Sequence, residues 1–320
     1  MRARRLRLAP LAALLLAACD VELTEQEVQV VVDAERDVAD VQMVYVGFGT
    51  TQRGDTAVAK AEQALRDLHA RKAILLGSTV GAIDLRGKEL APLELQRWIH
   101  VENGPLFHDP QLGLGYVQWI HLRELRTLLQ MLDEHARNAA RREMAAQGTL
   151  MGARFSLPTL AAVRAWLGTS TPAVTLQGSA LVFRAPVPQA EFLAARTAAV
   201  DEFVKEWSRE SRHDDATAEP RRANHPLLAM ALDGTLRMTW EDGMAILAIG
   251  RTDAPRCSLR WRAPARDARA APKALAESLA TRATLPQAPG AAELAAGFAA
   301  FRERMRAAGA LQPATRKTGG

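Results

Sequence analysis

The stretch EVQVVVD-AERD-VADVQMVYVGF constrains the fold more than any other part of this chain. Val28, Val30 and Val32 alternate with Gln29 and Asp33, and Val41, Met43 and Tyr45 alternate with Gln42 and Val44. A period of two puts one set of side chains on each face of a strand, so the two runs predict a β-hairpin turning at the polar AERD. A chain that starts on a strongly patterned hairpin needs something to cover its valine face. The helical stripes further along supply it.

Those stripes alternate with further short β runs. Asp55 or Thr56 can cap a helix through about Lys72. KAILLGSTVGAIDLRG reads as two short strands around Gly77-Ser78, and LELQRWIH as a short helix. Residues 101–118 are rich in Gly and Pro and read as a loop. A long amphipathic helix is predicted from Trp119 to Ala146, with Leu122, Leu125, Leu128, Leu129 and Leu132 on one side. The second half restarts with a helix between Pro158 and Gly168, a strand pair turning at Gly178-Ser179, and a helix opening at Pro188. A polar stretch, 208–226, separates these from LLAMAL, TLRMTW, MAILAIG and CSLRW. With Asp233-Gly234 and Asp242-Gly243 as turns, these four runs predict an antiparallel meander. Weak helices at 273–282 and 291–308 lead to a disordered end, QPATRKTGG.

Strands and helices gathered in separate runs predict an α+β fold: antiparallel hairpins and a four-stranded meander packed with several amphipathic helices, then an Ala/Pro-rich helical tail. The predicted division is 1–18 as a leader, 19–150 as one α+β region, 151–265 as a second with the meander, and 266–320 as an Ala/Pro/Arg-rich tail.

The leader gives the chain its expected address. Arg2, Arg4, Arg5 and Arg7 precede an apolar run from Leu8 to Ala18, broken only by Pro10. That run is too short to cross a bilayer, which takes about 20 residues, but suits the core of a signal peptide. Leu16-Ala17-Ala18-Cys19 resembles the lipobox of bacterial lipoproteins. The resemblance covers residues 1–19 alone. It implies cleavage before Cys19, a diacylglycerol thioether on its sulfur, an acylated amine, and a body held on the extracytoplasmic face of a membrane. Asp20 is similar to the inner-membrane retention signal of enterobacterial lipoproteins.

Removing residues 1–18 changes the charge. The full chain carries +5, but without the four leader arginines 37 Lys+Arg face 36 Asp+Glu. Bulk charge therefore gives no support for a nucleic-acid partner. The distribution is uneven. Residues 20–40 hold eight acids against Arg36, and residues 251–320 hold 13 basic and five acidic residues. An acidic start and a basic end can attract each other, or the basic end can meet anionic headgroups. A merely solvated basic tail is the simplest account. With Cys19 lipidated, Cys257 has no intramolecular partner, and its strand-like setting predicts a buried, inert thiol.

For chemistry, IHVENGPLFHDPQLGLGYVQWIH draws the eye. His100, His108 and His121, with Glu102 and Asp109, are ligand types that suit zinc, and an irregular loop can converge ligands. The metal candidates are His100, His108, Asp109 and His121, and Glu102 with His108 would be the acid/base pair. No HExxH or similar spacing is present, and surface histidines satisfy the pattern equally. Gly47-Phe48-Gly49 lacks the third glycine of a dinucleotide loop, because Gln52 stands there. Gly77-Ser78 and Gly178-Ser179 lack the glycines of a nucleophile elbow. The expectation is a non-enzymatic, lipid-anchored envelope protein, with membrane lipid at Cys19, an envelope protein as partner, no nucleic acid and no cofactor. A secreted metal-dependent hydrolase centred on residues 100–121 is the alternative, and a ligand pocket between the halves a third.

Overall fold

The computed structural model describes residues 18–49, 74–76, 79–83, 94–110, 113–146, 156–198, 233–264 and 285–310. Among them the fold is α+β, built on two antiparallel sheets. β1 (Ala18–Asp33) and β2 (Val38–Gly49) form the predicted hairpin, with residues 34–37 as its turn. One edge of β1 takes β2. The other takes β4 (Thr79–Ile83) near Ala18 and Glu22, then β11 (Arg256–Pro264) along Glu25–Asp33. β3 (Ile74–Leu76) adds beyond β4, and β6 (Gly113–Arg123) and β5 (Ile99–Asp109) extend the sheet beyond β2. The second sheet runs β7 (Val174–Gln177), β8 (Ala180–Ala185), β10 (Met244–Ile249), β9 (Leu236–Glu241).

Two expectations fail here for identifiable reasons. Residues 101–118 are not a loop but most of the β5–β6 hairpin. Gly104-Pro105, read as a breaker, sits where the register shifts between Asn103 and Leu106. A bulge on an outer strand tolerates proline's missing N–H. A Cβ on Gly104 would lie 3.1 Å from the Trp119 ring, so the glycine also makes room for that indole. The long helix, α1 (Leu125–Ala146), accordingly begins after Arg123 rather than at Trp119. Residues 119–122 pair with both β2 and β5, and Glu124 adopts φ 50°, which separates strand from helix. Asp37, in the β1–β2 turn, caps the helix: its carbonyl accepts from the Leu125 N–H at 2.9 Å and its carboxylate from the Arg126 N–H at 3.0 Å.

The meander is also rearranged. β9 and β10 form a hairpin at Asp242-Gly243, where φ values of 50° and 78° match a type I′ turn. CSLRW, however, leaves this sheet and pairs as β11 with β1, Cys257 opposite Val32 and Leu259 opposite Val30. A strand from the predicted second region thus belongs to the first region's sheet. LLAMAL, the helix expected through Lys72, the leader up to Ala17, and residues 273–282 and 312–320 lie outside the described residues.

The valine face of β1 and β2 is the centre of the core. Val28, Val32, Val41, Met43 and Tyr45 pack with Tyr116, Ile120 and, from α1, Leu125, Leu128 and Leu129. Val174, Leu176, Leu181 and Phe183 from the second sheet join them. α1 also carries a buried staple. Asp133 holds Arg137 at 3.0 Å and accepts from the Ala173 N–H at 2.5 Å. Arg137 donates to the Thr169 and Thr171 carbonyls and lies 4.3 Å over the Trp166 ring. Trp166 belongs to α2 (Leu157–Leu167), capped by Ser156. α3 spans 189–198, with the Glu191 carboxylate accepting from Ser156 and Thr159.

Arg137→Ala removes the cation from the nearly dry Asp133, which keeps only the Ala173 N–H, and takes the guanidinium from the Thr169 carbonyl; it should cost about 3–5 kcal/mol in urea unfolding. A loss under about 1 kcal/mol would show the staple to be dispensable. Burial also pushes the Tyr116 phenol well above its ordinary value of 10.0. The unfolded chain then ionises first, so the associated stability is complete below pH ~10 and falls as pH climbs beyond it, by about 1.4 kcal/mol per unit. Unfolding curves between pH 9 and 11 should show this slope, and Tyr116→Phe should remove its share.

Candidate functional site

The opposite face of the large sheet is where the polar chemistry collects. Asp40 on β2, His121 on β6 and His100 on β5 occupy one register row, and Gln42, Trp119 and Glu102 the next but one. Alternation sends these six away from the valine core. Lying over them is α4 (Ala291–Ala310), docked by Phe298 and the fully buried Phe301. The Phe301 ring stacks 6.0 Å from Trp119 and 6.4 Å from His100. Gly297 lets the helix close on the indole, because a Cβ there would stand 3.0 Å from it.

The polar groups are satisfied in pairs. Asp40 accepts from Arg302 Nε at 2.9 Å through Oδ2, and its Oδ1 lies 2.7 Å from His121 Nδ1. The Asp40 carboxylate is only 7% exposed, so two partners are needed to offset its desolvation. Glu102 accepts from Arg304 at 2.5 Å at the more open margin, and Gln42 from the Trp119 indole N–H at 3.0 Å. Chemically this is a helix clamp with charged anchors. The Asp40–His121 contact has the geometry of an aspartate orienting an imidazole, and the helix covers it.

The candidate metal ligands do not converge. The hairpin brings His100 and His121 face to face across the β5–β6 ladder, but it sends His108 and Asp109 to the other end of β5, opposite Leu114 and Gly113. Eight residues of strand separate His100 from His108, roughly 26 Å. Glu102 and His108 are about 20 Å apart by the same spacing, beyond acid/base cooperation. His121 and Glu102 are committed to Asp40 and Arg304. Among the described residues no three His, Cys, Asp or Glu side chains gather as a metal ion would require.

Other candidates resolve into local roles. Gly47-Phe48-Gly49 is the end of β2. Ser179 is buried in the β7–β8 turn, where its N–H donates to the Arg251 and Ala254 carbonyls. Gly178 there has φ +55°, and a Cβ would lie 2.6 Å from the Thr252 carbonyl oxygen. Cys257 is buried between β1 and the second sheet, and burial raises its thiol. Ser78 and Gln52 fall outside the described residues. Where the turns of the two sheets meet, a shallow groove of about 360 Å³ is lined by Glu35, Arg126, Thr252 and Asp253 among others. It is open to solvent and lacks the enclosing apolar walls of a small-ligand pocket.

Sequence reasoning passed over Arg302, Arg304 and Phe301, treating their segment as a tail. The signal was present: Phe298 and Phe301 stand at i, i+3 and are followed by basic residues within one turn. Comparison with known protein families, curated proteins and solved structures finds no match to this chain.

Phe301→Ala removes the central plug of the clamp. Hydrogen exchange over 291–310 should accelerate about a hundredfold or more while the β1–β2 amides stay protected, a loss of about 3–5 kcal/mol localised to the helix. Uniform acceleration through the whole chain would instead make α4 part of the global core.

Proposed function

We propose that this chain is a membrane-anchored, extracytoplasmic lipoprotein whose α+β body binds or supports another envelope component without catalysis. One observation carries the reading: four leader arginines, an eleven-residue apolar run and Leu16-Ala17-Ala18-Cys19 in succession. Cleavage before Cys19 would leave a lipidated residue at the start of β1, which begins at Ala18. The large sheet would then spring from the anchor with almost no tether, its Gly49 and Pro264 ends near the bilayer and its 34–37 turn roughly 50 Å along the strand. No described helix is long and apolar enough to cross a membrane.

The non-catalytic part of the reading draws on how the polar side chains are used. His100, Glu102 and His121, the most suggestive residues of the sequence, lie under α4, two of them tied into its clamp. Asp20 leans the anchor towards the inner membrane.

The anchor is testable in the native host. The wild-type chain should partition into the detergent phase and give an N-terminal peptide beginning at Cys19 with acyl mass on it. Cys19→Ser should remain in the aqueous phase. An unmodified Cys19, or residues 1–18 still attached, would overturn the assignment of compartment.

A further inference from the structure

Residues 285–310 sit on the large sheet the way a bound peptide sits on a receptor. Their first part adds to the β5 edge: the His108 N–H donates to the Pro286 carbonyl at 2.9 Å, and the Ala288 N–H donates to the His108 carbonyl at 3.0 Å, with Gln287 bridging in parallel. Ala288 and Leu294 then enter the small apolar cluster of Val44, Val46, Phe107 and Val117. α4 follows across the face with Phe298 and Phe301, and Arg302 and Arg304 reach Asp40 and Glu102. Strand addition followed by a helix in a groove combines two general modes of peptide recognition. The register is fixed jointly: a slide that put Phe298 over Asp40 would strand the acid, and the opposite slide would offer Arg306 but draw Phe301 off Trp119 and His100.

We infer that this segment is an exchangeable docking module, and that the strip formed by β5, β6 and β2 accepts the same segment from a second copy of the chain. Every copy carries both halves of the recognition, so mutual exchange closes a two-fold dimer with no new surface. Sequence length permits it. Twenty residues, 265–284, separate β11 from Leu285, a reach of up to about 70 Å fully extended or about 50 Å with the expected helix at 273–282, against a radius of gyration near 19 Å for a compact body of this size. Docking within one chain profits from an effective concentration in the millimolar range, so exchange is expected when copies are crowded or when the internal pair is mismatched. The inference is independent of the lipid anchor.

Mismatched pairs provide the test. Full-length Asp40→Arg and Arg302→Asp chains, differently tagged, are produced separately and together, in detergent. Alone, each sets like charges under its own helix, so the 291–310 amides should exchange fast. Together, the guanidinium introduced at position 40 of one chain meets the carboxylate introduced at position 302 of the other. The unmutated Arg302 of the first chain meets the unmutated Asp40 of the second. Capture of one tag should then retain the other about tenfold more than in a wild-type pair, with slow exchange restored in α4. Because the Asp40 site is nearly dry and the variant there can misfold, the same design with Glu102→Arg and Arg304→Glu uses the more exposed pair. Failure of both mixtures to co-capture above wild type, or single variants that keep α4 protected, overturns the inference. Co-capture by either pair supports it.

Discussion

Strand β1 is the member on which the rest of the molecule depends. It is 16 residues long and has both edges occupied, β2 along one and first β4 then β11 along the other. Its inward valines set the position of the core, and its backbone joins a strand from position 256 to the beginning of the chain. Long-range pairing of this kind is slow to form and costs loop closure before it returns any stability. Once formed, it makes the sheet one cooperative body, against which α4 and the segment leading into it dock from outside. The contrast between the core and that module follows from topology, not from any difference in residue quality.

Charge follows the same topology. The acidic start and the basic end of the chain are not independent features, because β11 and α4 bring the second onto the first. Arg256 meets Asp33 at 3.0 Å and Glu35 at 3.3 Å, Arg260 meets Glu27 at 2.6 Å, and Arg302 meets Asp40 at 2.9 Å. The first three pairs involve arginines more than half exposed and contribute little each. The last is different, being shielded by the helix it holds. A solvated basic tail, the simplest account from composition, therefore fails for this part of the chain. Those cations answer acids placed more than 200 positions earlier.

This explains which features were legible in the sequence. Period-two runs at β1 and β2, and turn residues at Asp242-Gly243 and Gly178-Ser179, report local geometry that nearest neighbours decide, and they appear as read. The leucine stripe of α1 appears only from Leu125 onward, since Leu122 falls in β6. The errors cluster where partners are distant. Gly104-Pro105 reads as a loop unless β6 is known to lie alongside, when it becomes a bulge under Trp119. CSLRW looks like the fourth strand of a meander because sequence order is the only guide to pairing, whereas β1 had an open edge to fill. Three histidines within 22 residues suggest convergence, but a hairpin sends residues near its turn and residues near its open end far apart. The clamp beneath α4 escaped notice because its two halves are complementary only when brought together.

There remains the question of why a helix interface should contain Asp40 and His121 at all. An apolar row would bind α4 with no desolvation penalty, and replacing buried ion pairs by hydrophobic residues often stabilises a protein. The apolar part of this interface, however, is made largely of aromatic, alanine and valine contacts that tolerate sliding along the helix axis. Adding an acid that only one arrangement of arginines satisfies removes the alternatives at a modest cost in affinity. His121 contacts the acid from the other side through Oδ1, which leaves Oδ2 for Arg302. Held this way the helix has a defined seat: Phe298 and Phe301 supply the apolar burial, and Arg302 decides which turn of the helix lies over Asp40.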